Sequence, residues 1–244
     1  MPTHHRILSL VYNEFEALDL FGPLGAIVPR SDYYTVEFVN LHNLTSPYGI
    51  ETSMKNGIGI AGTISLAEAL REDHDFDTVF IPGGFGMMPL VWDPMLLKQI
   101  GQLVDRAANV FTVCTGSILL AATGRLDGRQ ATTNKRLYDK ATPKREPSRK
   151  VGKRARWVQD GKFLTPSGVT AGIDAGFAFI ANTYVAPEDR QAEAQEVGLR
   201  GEATPIPGYN QEKALKFTHM NAFGLEYRWH SDPTDDPFVD LPTA

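Results

Sequence analysis

The stretch Asn109-Val-Phe-Thr-Val-Cys114-Thr115-Gly116-Ser117, followed by the apolar residues 118–122, decides the fold class of this chain. Its β-branched and aromatic residues predict a buried strand that ends at the cysteine, and the residues after it predict a helix. Cys114 would then lie on a sharp strand-to-helix turn, where the amides of the helix start are expected to lower the pKa of its thiol. We therefore predict a nucleophile at Cys114, the alternative being an inert buried cysteine.

Short strands and helices alternate along the rest of the chain, which predicts an α/β fold with a mostly parallel sheet sandwiched by helices. The predicted strands are Arg6–Tyr12, Tyr34–Asn40, Thr78–Ile81, Val110–Val113 and Gln130–Thr133. The predicted helices lie at about residues 22–29, 64–71, 94–107, 116–123 and 170–185. A hairpin is expected where residues 156–159 and 162–165 flank Asp160-Gly161, a favoured two-residue turn.

The length of 244 residues and the ordinary composition predict a single domain spanning residues 1–244. The segment at about 197–223 is expected to be a helical insertion or a dimer-contact element. Residues 231–240 are expected to form an acidic C-terminal arm rather than a domain.

Charge and cysteine usage restrict the partners and the compartment. The net charge of −5 argues against broad nucleic-acid binding, although Arg129–Arg156 carries eleven Lys or Arg against two acidic residues. Pro143, Pro147 and the absence of interleaved aromatic residues favour a solvated loop there. The apolar runs are too short for a signal peptide or a membrane span, and a single cysteine excludes an internal disulfide. A cytoplasmic protein without a membrane partner is therefore expected.

No cofactor or metal is predicted. The spelling of Gly57-Ile-Gly59-Ile-Ala-Gly62 fits a dinucleotide-binding loop, but no predicted strand precedes it. The six histidines show no ligand spacing beyond the pair at His4 and His5, and one cysteine cannot supply a site of several thiolates.

Two further stretches follow predicted strands and could meet Cys114 at the sheet edge. Gly83 and Gly84 come directly after the strand Thr78–Ile81, so their amides, with that of Thr115, could bind an oxyanion, although an ordinary glycine turn is the alternative. Asp19 comes after the first strand and could be either a functional carboxylate or a helix N-cap.

These motifs together resemble the ThiJ/PfpI superfamily, whose flavodoxin-like fold is similar to that of class I glutamine amidotransferases. The resemblance covers residues 6–186 and resumes at 224–238, and it is greatest for the isonitrile (isocyanide) hydratase branch. It rests on Leu18-Asp19-Leu20-Phe21-Gly22-Pro23, Ile81-Pro82-Gly83-Gly84, Val113-Cys114-Thr115-Gly116-Ser117, Ala131-Thr132-Thr133 and Gly168-Val-Thr-Ala-Gly-Ile-Asp174.

The resemblance implies a homodimeric, cofactor-free enzyme that adds water to a small electrophilic carbon. Cys114 would be the nucleophile, Asp19 would handle protons, and Thr115 would help to shape the oxyanion site. The oxyanion or substrate is further predicted to meet Gly83, Gly84, Gly116 and Asn134. Many relatives have a histidine where this chain has Asn134, and an amide cannot exchange a proton near pH 7.

Three other functions stay open at the level of the sequence. A glyoxalase-like or deglycase-like enzyme would use the same residues, and a redox or stress sensor would need only oxidation of Cys114. Regulators of the AraC type carry a similar domain, but residues 187–244 are too few and too rich in proline for the attached DNA-binding part.

Overall fold

The computed structural model describes residues 4–28, 32–42, 50–52, 57–138, 155–189, 206 and 208–234. The strands are β1 (His5–Val11), β2 (Tyr34–Asn40), β3 (Ile50–Thr52), β4 (Gly59–Ala61), β5 (Ile64–Ser65), β6 (Thr78–Ile81), β7 (Asn109–Thr112), β8 (Trp157–Asp160) and β9 (Phe163–Pro166). The helices are α1 (Ala17–Ile27), α2 (Leu66–Ala69), α3 (Met87–Leu90), α4 (Pro94–Arg106), α5 (Gly116–Ala122), α6 (Val169–Thr183) and α7 (Gln211–Gly224).

The main sheet has the strand order β5-β2-β1-β6-β7-β9-β8, and every neighbouring pair is parallel except β8 with β9. The chain first moves from β1 outward to β2 and β5, and then from β6 outward to β7 and β9. The direction of winding therefore reverses between β1 and β6. In open α/β sheets a ligand crevice lies at such a switch point, outside the carboxyl ends of the strands. The predicted fold class is confirmed.

Helix α6 is the main packing element on one face of the sheet. It is almost wholly apolar, and Phe177 and Ile180 are fully buried in it. Small residues allow α1 and α6 to approach closely, since a Cβ at Gly176 would lie 3.1 Å from the Cα of Pro23. Burying each large apolar side chain stabilises the fold by about 1.5–3 kcal/mol. This contact holds α1, and the residues at its start, rigidly against the sheet.

The strand predicted at Gln130–Thr133 is wrong. This segment runs without strand structure, and its backbone donors bind side chains instead of a neighbouring strand. The Gln130 N–H donates to Asp160 Oδ2 at 2.7 Å, and the Thr132 N–H donates to Thr165 Oγ1 at 3.0 Å. The place beside β7 is taken by β9, whose Phe163 and Leu164 pair with Val110 and Phe111.

The strands Tyr34–Asn40 and Thr78–Ile81 are confirmed with the predicted bounds, and the other predicted elements are confirmed with shifted ones. The hairpin loop is Gly161-Lys162, one residue later than predicted, with Gly161 at φ +56°. Helix α1 begins five residues before the predicted start, because the side chain of Glu16 caps it. The segment predicted as a helix at 64–71 contains the short strand β5 before helix α2.

Three predicted surface features are described only in part, one of them the acidic arm predicted at 231–240, of which residues 235–240 lie outside the described residues. In the basic segment, residues 139–154 lie outside the described residues. Residues 190–205, which include the first part of the insertion predicted at 197–223, also lie outside them. The described remainder of that insertion contains α7, which packs on α6. The Tyr209 hydroxyl, just before α7, donates to the Ala181 carbonyl at 2.7 Å. At least this part of the insertion belongs to the core of the fold.

Asp174, the last residue of a motif in the sequence, has a structural role. Its buried carboxylate forms an ion pair with Arg156 and accepts hydrogen bonds from the Tyr227 hydroxyl and the His230 N–H, at 3.1 and 3.0 Å. The Trp229 indole donates to its carbonyl at 3.0 Å. A buried charge needs such partners, so Asp174 fixes the residues after α7 against α6.

Candidate active site

Cys114 lies on the turn that the sequence predicted. Strand β7 ends at Thr112, α5 begins at Gly116, and Cys114 has φ +55°, a left-handed conformation that is costly for a residue with a side chain. Gly116 makes the turn possible, because a Cβ there would lie 2.2 Å from the Ile81 carbonyl oxygen. The geometry is that of a strained strand-to-helix elbow presenting a thiol.

Four hydrogen bonds hold the Cys114 backbone and thiol in place. The Cys114 carbonyl accepts from the Ser117 hydroxyl at 2.9 Å and from the Thr133 hydroxyl at 3.0 Å, and its N–H donates to the Pro166 carbonyl at 3.1 Å. Asn134 Nδ2 donates to the sulfur at 3.1 Å. These contacts offset the backbone strain and orient the sulfur, and the amide of Asn134 favours its anionic form.

The glycine loop after β6 is paired with the residues that lead into α1. Phe15 and Gly84 form an antiparallel bridge, and the Glu16 N–H donates to the Gly83 carbonyl at 2.7 Å. Gly84 has φ +138°, and a Cβ there would lie 2.3 Å from the Glu14 carbonyl oxygen. Only glycine fits this backbone. The bridge and the hydrogen bond hold the start of α1 and the glycine loop together as one unit.

Asp19, Cys114 and Thr115 converge on the side-chain-free face of Gly83. A Cβ at Gly83 would lie 2.4 Å from Asp19 Oδ2, 2.8 Å from the Cys114 Cβ and 2.9 Å from the Thr115 nitrogen. These groups come from three different segments that follow β1, β6 and β7. The carboxyl ends of three neighbouring strands thus bring a carboxylate, a thiol and two backbone amides to one point.

The backbone amides predicted for an oxyanion site are not all available. The Gly84 N–H donates to the Thr115 hydroxyl at 2.9 Å, and that hydroxyl donates to the Gly84 carbonyl at 3.2 Å. The Gly116 N–H donates to the Val113 carbonyl at 2.8 Å. Gly84 and Gly116 therefore shape the loop and the turn, which leaves the amides of Gly83 and Thr115 facing the thiol and the carboxyl.

Asp19 is buried, and its carboxyl is not a helix cap. The N-cap of α1 is Glu16, whose carboxylate accepts from the Leu18 N–H at 3.4 Å, while Asp19 lies in the first turn with none of its side chain exposed. Among the described residues, no donor meets both the distance and the angle of a hydrogen bond to either oxygen of the Asp19 carboxyl. An unsatisfied buried carboxyl is costly, and its retention at this point is typical of a functional group.

Burial and a neighbouring carboxylate raise the pKa values of both Asp19 and Cys114. Burial, then the charge of Glu16, raises the pKa of Asp19 from 3.8 to about 7, while the adjacent Cys114 thiol and Gly83 N–H limit the rise. Burial and the charge of Asp19 raise the pKa of Cys114 to about 12, against the opposing effects of Asn134 and the Thr115 N–H. The expected lowering of the thiol pKa by the helix start is therefore wrong. Desolvation outweighs the amides of a seven-residue helix.

Alkylation of Cys114 by iodoacetamide is expected to increase through pH 7 rather than through the usual thiol range near 8.5. Above pH 7 the Asp19 carboxylate can accept the thiol proton as the sulfur reacts, and a second increase is expected toward pH 12. Mass spectrometry of the rate against pH gives the profile, and Asp19→Asn should remove the first step. A single increase centred near 8.5 would show that the two groups do not act as a pair.

Two residues near the site were missed in the sequence. The Tyr12 hydroxyl, directly after β1, donates to the Pro82 carbonyl at 2.7 Å, and burial together with the charges of Asp19 and Cys114 raises its pKa. Glu16 lies three residues before Asp19, a spacing that places two side chains on one side of a helix. The sequence contains the spacing of Glu16 and Asp19, but the spacing can be interpreted only once the residue at which the helix begins is known.

The described residues contain no group of three or more His, Cys, Asp or Glu side chains placed to hold a metal ion. Among the same parts of the chain, no helix is long and apolar enough to cross a membrane.

Comparison with known proteins agrees with this architecture. Residues 5–182 match the model of the DJ-1/PfpI family. An isonitrile hydratase of Pseudomonas putida is 29% identical over 206 residues, which cover 82% of this chain and 79% of that protein. The HTH-type transcriptional regulator CdhR of Pseudomonas aeruginosa is 27% identical over 68% of this chain, but the match covers only 47% of the regulator.

A solved structure of a ThiJ/PfpI family protein from Pseudomonas syringae shares the fold. It has a TM-score of 0.66 and 24% sequence identity, over 98% of this chain and 79% of that one. The family match alone spans well over half of the sequence and includes the elbow, the glycine loop and the start of α1. The chain therefore belongs to the DJ-1/PfpI family.

Proposed function

We propose that this protein is a cysteine-dependent hydratase that converts an isonitrile to an N-substituted formamide. The observation that carries the proposal is the buried Asp19 carboxyl beside the Cys114 thiol, at the side-chain-free face of Gly83. Such a pair supplies a nucleophile and a proton carrier on the same face of the crevice. The similarity to an isonitrile hydratase supports the choice of substrate.

The first half of the reaction uses Asp19 as a base and then as an acid. Asp19 takes the thiol proton as Cys114 Sγ bonds to the terminal carbon of the isonitrile, and the Asn134 amide stabilises the developing charge on sulfur. Asp19 then delivers the proton to that carbon, which gives a thioimidate, R–N=CH–S–Cys. A carboxyl of pKa about 7 can do both near neutral pH.

The second half adds water to the thioimidate carbon. Asp19 accepts one proton from the attacking water and passes it to the nitrogen. The carbon–sulfur bond then breaks as the remaining hydroxyl proton moves, through Asp19, to the sulfur. The products are the formamide, R–NH–CHO, and the Cys114 thiol with its proton restored, so one water is consumed in each turnover. In this proposal the amides of Gly83 and Thr115, which lie beside the thiol and the carboxyl, stabilise the oxygen that water brings.

The alternative functions use the same residues differently. A glyoxalase-like or deglycase-like enzyme would attack a small carbonyl with Cys114, and Asn134 disfavours any route that needs a histidine as the proton carrier. A redox sensor needs a thiolate at rest, and the raised pKa of Cys114 opposes this. These observations favour a hydratase in which the proton leaves the thiol only during attack.

One comparison distinguishes these functions. Steady-state turnover of an alkyl isonitrile and of methylglyoxal is measured on the same preparation, beside a hydrogen peroxide titration of Cys114 followed by mass spectrometry. Formamide production with slow peroxide oxidation is the expected result. Turnover of methylglyoxal alone would support the glyoxalase-like reaction, and stoichiometric oxidation without turnover of either substrate would support the sensor.

We further propose that the protein is a homodimer. Apolar side chains are exposed on and beside α1, with Leu18 55%, Phe21 39% and Phe85 70% exposed. An apolar group of this kind is typical of an association surface. Sedimentation at micromolar concentration is expected to give about twice the chain mass of 26.9 kDa. A single species at the chain mass would contradict the proposal.

A further inference from the structure

Glu16 forms part of the surroundings of the Asp19 carboxyl, although it takes no part in the mechanism proposed above. The Glu16 carbonyl accepts from the Asp19 N–H at 3.0 Å and from the Leu20 N–H at 3.3 Å, which forms the first turn of α1. Its own N–H binds the Gly83 carbonyl at 2.7 Å. The backbone of Glu16 thus connects the turn that carries Asp19 to the loop that Asp19 faces.

The side chain of Glu16 acts on Asp19 through charge. Glu16 is half-buried, and its carboxylate caps α1 three residues before Asp19. Side chains at this spacing are neighbours on a helix surface, and two carboxylates there repel one another. Among the described residues, the titratable groups that face Asp19 are Glu16 on its own helix, Cys114 on the elbow and Tyr12 after β1. Of these three, Glu16 is the carboxyl group that also contacts solvent.

We propose that Glu16 is a positioning residue for the proton carrier: its backbone fixes the glycine loop beside Asp19, and its carboxylate makes Asp19 a stronger base toward the Cys114 thiol. The inference rests on the proposed use of Asp19 as the proton carrier. A stronger base takes the thiol proton more readily during attack, in line with Brønsted behaviour. The charge of Glu16, after burial, is the largest cause of the raised pKa of Asp19.

The test is the pH profile of Cys114 alkylation by iodoacetamide in Glu16→Gln. Glutamine keeps an acceptor for the helix start and every backbone hydrogen bond of Glu16, but it has no charge. We expect the midpoint of the first increase to move to lower pH by about 0.3 unit, so alkylation at pH 6 becomes roughly twofold faster. Glu16→Ser, a neutral residue that also caps helices well, should shift the midpoint in the same direction.

Two matched variants separate this effect from a change in structure or in overall charge. Glu16→Asp keeps both the charge and the cap, so it should restore the wild-type midpoint. Glu14→Gln removes a charge from an exposed residue of the same segment, and it should leave the midpoint unchanged. An unshifted midpoint in both Glu16→Gln and Glu16→Ser, or an equal shift in Glu14→Gln, would overturn the inference.

Turnover gives an independent reading. In Glu16→Gln, kcat for an alkyl isonitrile at pH 9 should fall by up to about twofold while KM changes little, because a weaker base slows the proton transfer and not the binding. An unchanged kcat would contradict the stronger-base role. If no isonitrile is turned over but the alkylation midpoint still shifts, the proposed reaction is wrong and the role of Glu16 holds.

Discussion

Replacing Cys114 with serine is expected to lower isonitrile turnover by about 10³-fold or more. The serine hydroxyl holds its proton far more tightly than a thiol, and a carboxylate of pKa about 7 at Asp19 is too weak a base to remove it. The hydroxyl would occupy the same strained position, but it would not attack the isonitrile carbon at a comparable rate. Steady-state formation of the formamide measures the loss.

The fold of the Cys114→Ser variant should be intact. Serine and cysteine are similar in size and pay the same cost for φ +55°, and the bonds to the Cys114 carbonyl and N–H do not involve the side chain. Thr112→Val is a matched control, because Thr112 is buried at the end of β7 and its hydroxyl has no partner among the described residues. It should retain turnover. Activity retained in Cys114→Ser would remove the thiol from the mechanism.

The strand-to-helix turn could be predicted from the sequence because its signals are local. Val110–Val113 is β-branched and apolar, and Gly116 follows at the one position where a Cβ would meet the Ile81 carbonyl. The same holds for Gly83 and Gly84, which follow a strand directly. The carboxyl ends of neighbouring parallel strands share one edge of the sheet. This rule and the local sequence pattern were together sufficient to predict that Cys114, Gly83 and Asp19 meet in one crevice.

The features that could not be predicted depend on contacts between distant segments. The side chains of Asp160 and Thr165 replace a strand partner for residues 130–133, and nothing local in that run indicates this. The raised pKa of Cys114 follows from burial and from the charge of Asp19, neither of which is visible in the elbow motif. The direction of a pKa shift at a turn therefore needs the three-dimensional surroundings, where desolvation can exceed the effect of a short helix.

Replacing Asp19 with asparagine is expected to lower turnover by about 10²-fold or more while Cys114 remains open to alkylation. Asparagine keeps a hydrogen-bond donor beside the sulfur, but it cannot exchange a proton. Removing the Asp19 charge also removes one cause of the raised thiol pKa, so the thiol should ionise more easily than in the wild type. Measured on one sample, turnover should fall and the increase in alkylation through pH 7 should be absent, while the later increase that follows ionisation of the thiol should move to lower pH than in the wild type.

The stability of the Asp19→Asn variant shows whether its loss of turnover comes from the missing proton carrier or from a damaged fold. The pKa of Asp19 is raised from 3.8 to about 7 in the folded protein, so its contribution to stability is lost as the pH rises through that interval. Asparagine has no such dependence, and the variant should be more stable than the wild type at pH 8, by about 2–4 kcal/mol. A variant that unfolds less readily in urea at pH 8, yet hardly turns over, has lost a proton carrier and not its structure. Normal turnover in Asp19→Asn would instead show that water carries the proton, since the Asn134 amide cannot exchange one near pH 7.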